Sequence, residues 1–165
     1  MRAALLTSAV FVASLTAGTY VVRAQRGTSV LLVTLPTTAR VSFSTTSVTF
    51  PDADPGATPL VPSVPAGVSV SARARVPRNS QVTLTVQSTD DLRSGVTVLP
   101  ASLITWTATG AGFAGGTLSR TTPQLVGRWT GSGVWTGTQS FRFENRWTHP
   151  TGTYSATLVY TLSSP

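Results

Sequence analysis

The sequence predicts an all-β chain folded as an antiparallel two-sheet sandwich. Three observations carry that prediction. Apolar and polar residues alternate with period two in stretch after stretch, as they do in strands with one buried and one wet face. Val and Thr, whose branched side chains suit a pleated surface, dominate those stretches. After residue 24 no segment shows a helical apolar period, and turn residues recur at the spacing of about 8–12 residues shared by sandwiches and barrels.

The first residues stand apart from this pattern. Arg2 gives a positive start, residues 3–17 are apolar apart from small hydroxyls, and Val22-Arg23-Ala24 has the small-residue spacing that signal peptidase reads. The apolar stretch, about 15 residues, is short for a membrane span of about 20. Residues 1–24 are therefore expected to be a secretory signal peptide, and residues 25–165 a single β-sandwich domain.

Along that domain, residues 28–35 form a short apolar run ending at Pro36, and residues 40–44 alternate about Val41 and Phe43. Residues 47–50 repeat the pattern. Residues 51–67 hold five prolines and two glycines, which are expected to forbid regular ladder pairing and to make an ordered surface loop or a crossover between sheets. Val68, Val70, Ala72, Ala74 and Val76 alternate with Ser69, Ser71, Arg73 and Arg75; Val82, Leu84 and Val86 alternate with Thr83, Thr85 and Gln87. With the turn Pro77-Arg78-Asn79 between them, these two runs predict a hairpin. Residues 103–108, 124–129, 139–146 and 153–162 complete a set of about eight to ten strands. The long proline-rich connection favours a sandwich of immunoglobulin-like or Greek-key type over a barrel. Trp-Thr-Gly occurs at 129–131 and 135–137, as if two paired strand ends flanked the turn Gly131-Ser132-Gly133.

Composition narrows the function. The formal charge of +7 falls by two when Arg2 and Arg23 leave with the signal, and every cation is arginine. Nucleic-acid binders cluster their charge on one face. Here Arg40, Arg78, Arg93, Arg120 and Arg142 lie singly along the sequence, and only Arg73 and Arg75 are neighbours, so no nucleic-acid partner is expected. The absence of cysteine excludes disulfides, thiol chemistry and a lipid-modified cysteine anchor. No later stretch is long and apolar enough for a transmembrane segment. Export with release, or non-covalent retention at the surface or in the periplasm, is the expected fate.

Catalytic groups are sparse. His149 is the one histidine and is expected in an exposed loop beside Pro150. Ser132 lacks the Gly-x-Ser-x-Gly spacing of a nucleophile elbow. Glu144 lies between Arg142 and Arg146, where an ion pair accounts for it. The chain is expected not to be an enzyme and to need no cofactor. Asp52, Asp54, Asp90 and Asp91 are weak calcium candidates, because loop carboxylates suit a hard cation, but they form no consensus loop; no metal is otherwise expected. Trp129, Trp135 and Trp147, with Arg128 and Arg146, are the candidate ligand-binding set, since flat rings beside hydrogen-bonding groups suit sugars. Core packing is the competing role, and Trp135, flanked by Gly133 and Gly137, is expected to be the most exposed. Arg73 and Arg75, on the polar face of one strand, are candidates for contact with anionic polymer.

The C-terminal run from Gly152 through Tyr154, Ala156, Leu158, Tyr160 and Leu162 to Pro165 resembles the closing strand of WxL-type domains. Those are β-rich modules of bacterial surface proteins that associate non-covalently with the cell wall. Tyr160 stands where that motif has tryptophan, and Trp106 is followed by Ala108 where the family has leucine. The same run is similar to the last strand of fimbrial subunits, with Gly152 in place, but here the chain continues past Tyr160. Both resemblances imply a secreted bacterial β-sandwich with a structural or adhesive role and no catalysis. Cell-wall polymer, glycan or another surface protein are its expected partners. Two other roles are open: a polymerising, self-associating subunit that uses strand addition, and a carbohydrate-binding module with a tryptophan platform.

Overall fold

A computed structural model describes residues 32–164. The expected signal peptide and residues 28–31 of the apolar run at 28–35 lie outside the described residues, and residues 32–35 form no strand. The chain divides between Thr34 and Leu35, and every strand among the described residues belongs to the second unit.

That unit is an antiparallel β-sandwich. In chain order its strands are β1 (Thr38–Phe43), β2 (Leu60–Pro62), β3 (Val68–Arg75), β4 (Gln81–Ser88), β5 (Leu92–Ser94), β6 (Thr97–Leu99), β7 (Ile104–Thr109), β8 (Gly116–Thr117), β9 (Gln124–Thr130), β10 (Gly133–Glu144) and β11 (Leu158–Ser163). The larger sheet runs β1-β3-β10-β7-β8, with β2 also on β10; the smaller runs β11-β4-β9; β5 and β6 form a separate hairpin. That hairpin turns on Gly95 at φ +57 and Val96, with Gly first in a two-residue loop. Among the described residues no helix is long and apolar enough to cross a membrane.

Alternation places the core. On β3, Val68, Val70, Ala72 and Ala74 are buried; on β4, Val82, Leu84 and Val86 are fully so. They form one core cluster with Trp106, Leu118, Val126, Trp129 and Phe141.

The connections differ from the sequence expectation. β3 and β4 are not a hairpin: β3 pairs with β1 and β10, β4 with β11 and β9. Their turn, with Asn79 at φ 67, carries the chain from one sheet to the other. Period two states that one face is buried, not which strand lies alongside. Against the sequence expectation, the proline-rich stretch is neither free of ladder pairing nor a crossover between sheets: its residues Leu60–Pro62 pair with β10 and it stays within the larger sheet. Val61 and Phe143 are register partners in its β2 segment. β2 and β3 lie end to end along the same side of β10, separated by residues 63–67, where the Val64–Pro65 bond is cis. A ladder of three residues tolerates Pro62 because β2 is an edge strand.

The two Trp-Thr-Gly ends are likewise unpaired. β9 belongs to the smaller sheet and β10 to the larger, so their turn is a second crossing between sheets. β10 begins at Gly133, earlier than the sequence indicates, and β11 is confined to Leu158–Ser163. Residues 47–50 contribute only the isolated bridge from Thr49 to Val64.

One flank of the sandwich is closed by backbone. Ala114 N donates to Val126 O at 2.8 Å and Arg128 N to Gly112 O at 2.9 Å, tying the β7–β8 connection to β9. The other flank, between β1 and β11, is closed by side chains. Phe43 and Tyr160 meet at 4.6 Å between ring centroids, and Tyr160 Oη donates to Oε1 of the fully buried Gln139 at 2.9 Å.

Candidate functional site

The tryptophans do not form one platform. Trp129 is 8% exposed: its ring stacks on Trp135 at 4.8 Å and 11°, meets Phe113 edge-on at 4.9 Å, and its indole N–H donates to Ala111 O. Because β9 and β10 lie in opposite sheets, the stacked pair bridges the sandwich from inside. Glycines make room for it. A Cβ on Gly127 or Gly112 would run into the Trp129 ring, and one on Gly133 would lie 2.8 Å from Cζ2 of Trp135. The glycines flanking Trp135 are beds for aromatic rings, which corrects the expectation that they expose it; Trp135 is half-buried. Trp106 is buried and donates to Ala114 O. Trp147 is 76% exposed and lies beyond the far end of β10. From Trp135 to Glu144 that strand extends about 30 Å at roughly 3.3 Å per residue.

The cations assigned to the same set are also dispersed. Arg128 is exposed on β9, in the smaller sheet, while Arg146 pairs with Glu144. His149 is not an exposed loop residue: it is half-buried beside Phe143, at 5.8 Å.

The acidic candidates serve turns and ion pairs. Asp54 Oδ1 accepts from Gly56 N at 2.7 Å, and Asp52 is exposed in the same stretch. Asp90 pairs with Arg93, which holds the Asp90 carboxyl below its ordinary range. Asp91 accepts from Ala101 N at 3.0 Å and pairs with Arg120 at 3.2 Å. Among the described residues no three His, Asp or Glu gather as metal ligands.

The arginines of the larger sheet behave differently. Arg40 on β1 and Arg73 on β3 are register partners, and Arg75 follows two residues on, opposite Thr38. All three are exposed. Among the described residues none of them pairs with a carboxylate; the ion pairs there are Asp90–Arg93, Asp91–Arg120 and Glu144–Arg146. Charges scattered along the sequence are thus gathered in space, which removes the sequence-based ground for excluding nucleic acid. Arg142 lies on the same strand system but far along β10, opposite Thr105.

The arginines continue a lattice of hydroxyls. Ser71 is the register partner of both Ser42 and Thr136, and Thr138 that of both Ser69 and Thr109. The inward residues between them, Val70 and Ala72, are buried, so these residues lie on the outward side of the sheet with Arg73; Ser42, Ser69, Thr109 and Thr136 are exposed, while Ser71 and Thr138 are half-buried. What the face can do is bind anions through guanidinium groups and hydroxylated groups through Ser and Thr.

No family model matches the chain, and no curated protein matches it.

Proposed function

We propose that the chain is a non-catalytic, secreted bacterial surface module, structural or adhesive in role, that holds anionic envelope polymer on the solvent face of β1 and β3. The observation that carries this reading is the row of Arg40 and Arg73, with Arg75 beside it and no carboxylate partner among the described residues. Like charges directly opposite one another in a sheet are destabilising, so a face of this kind is better suited to an anionic partner than to water alone. The wall association implied by the WxL resemblance of the C-terminal run agrees with it.

The test is sedimentation of the protein with isolated cell envelopes. Binding that is released by salt and lost in the double variant Arg40→Gln/Arg73→Gln supports the reading, because exposed charge contacts are screened by salt. Binding that ignores salt, or preference for duplex DNA over envelope polymer, contradicts it.

A polymerising subunit is the second reading. It is favoured by the two sheet edges: β1 pairs only with β3 and β11 only with β4 among the described residues. Unpaired edges can accept another strand. Oligomers in light scattering that disappear when residues 25–36 are deleted would support it, and a concentration-independent monomer would end it.

A further inference from the structure

The outward face of the larger sheet carries a groove beside its arginines. Two rows of hydroxyls cross the strands, Ser42-Ser71-Thr136 and Ser69-Thr138-Thr109. Within a row, neighbours are about 4.8 Å apart, the interstrand spacing, and the rows are about 6.7 Å apart, two residues along a strand. A groove of about 560 Å³ lies over them, and no carboxylate is in its lining. The Ser71 hydroxyl is shielded from water and has no hydrogen-bond partner among the described residues. On the other side of the Ser42-Ser71-Thr136 row comes the row Arg40-Arg73-Val134. Groove and arginines therefore run side by side across the strands.

From this juxtaposition we infer that the groove binds a phosphodiester-linked polyol, a chain with one anion and at least one free hydroxyl in every repeat. The inference rests on the anionic-polymer reading and names the polymer. Ser and Thr side chains both donate and accept, as polyol hydroxyls require. A planar guanidinium forks onto two phosphate oxygens. A chain lying in the groove meets hydroxyls beneath it, and the arginines stand one row beyond its lining, within reach of long guanidinium side chains. Inorganic polyphosphate can only accept from the floor and has no hydroxyl to donate to it, and a neutral glucan has no anion for the arginines.

Calorimetric titration of the intact protein with three probes tests this: a glycerol phosphate oligomer, inorganic polyphosphate with the same number of charges, and neutral dextran. The glycerol phosphate oligomer should bind about tenfold more tightly than polyphosphate, the worth of one or two hydrogen bonds. Thr136→Leu, which fills the groove at an exposed position, should weaken that probe about tenfold and leave polyphosphate within about twofold. Arg73→Gln should weaken both. Equal binding of the two anionic probes, dextran binding as tight as either, or indifference to Thr136→Leu overturns the groove assignment and leaves the anionic-polymer reading standing. Indifference of both anionic probes to Arg73→Gln overturns that reading itself. Urea midpoints confirm that each variant is folded, and Thr136→Val, which removes the hydroxyl with little change in volume, replaces Thr136→Leu if the latter is not.

Discussion

Arg40 and Arg73 are register partners in adjacent antiparallel strands, both exposed, and neither has a carboxylate partner among the described residues. A sheet gains from opposite charges at such a position and loses from like ones. The pair is therefore a local cost to the fold, and removing it separates stability from binding.

Arg73→Thr should stabilise the protein by about 0.2–1 kcal/mol at low ionic strength, the usual range for a cross-strand pair. The gain should shrink in 1 M salt, where screening acts over about 3 Å. Urea unfolding at the two salt concentrations measures it. A destabilised variant would show that Arg73 is held by contacts other than those described.

Tyr160 should give the stability curve an alkaline limb. Burial pushes its phenol up to about 12, against the lowering effect of its hydrogen bond to Gln139. The folded state thus holds the proton more tightly than the unfolded chain. The associated stability is complete below pH 10 and is lost as the pH rises from 10 towards 12, by roughly 2–3 kcal/mol. Tyr160→Phe should abolish that limb. At pH 7 it should cost about 1–3 kcal/mol, since it leaves the buried Gln139 Oε1 without its donor.

Gly127→Ala should destabilise by about 1–3 kcal/mol through overpacking, because the new methyl group would intrude on the Trp129 ring. Near-ultraviolet circular dichroism should lose signal from the Trp129–Trp135 stack in the same variant. An unchanged spectrum and stability would mean that the ring shifts without penalty.

Trp147 should dominate quenching of the protein's fluorescence by acrylamide, as it is 76% exposed while Trp106 and Trp129 are buried. Trp147→Phe should remove most of the quenchable emission and leave the urea midpoint within about 0.5 kcal/mol, as befits a surface position.

Much of the fold was legible because period two reports burial directly. The alternation from Val68 to Ala74 and from Val82 to Val86 reappears as two buried strand faces. Pairing was not legible, since short turns at Asn79 and Gly131 can equally join neighbours in one sheet or strands in two. The same ambiguity hid the Trp129–Trp135 stack, and glycines that accommodate rings look like glycines that open loops. The site was half legible. Arg73 and Arg75 share a face by period alone, but Arg40 joins them through a register that spans 33 residues of sequence. The one signal for it was the strand at residues 40–44, whose alternation puts Arg40 and Ser42 on its wet side.

The central claim is that position, not total charge, directs the protein to anionic polymer. It is tested most directly by comparing two charge-matched double variants, Arg40→Gln/Arg73→Gln and Arg78→Gln/Arg128→Gln, for binding to isolated cell envelopes at physiological salt. Both remove two positive charges, but only the first empties the row on β1 and β3. Loss of binding in the first with retention in the second is the predicted result. Equal losses would reduce the interaction to net charge and contradict the account.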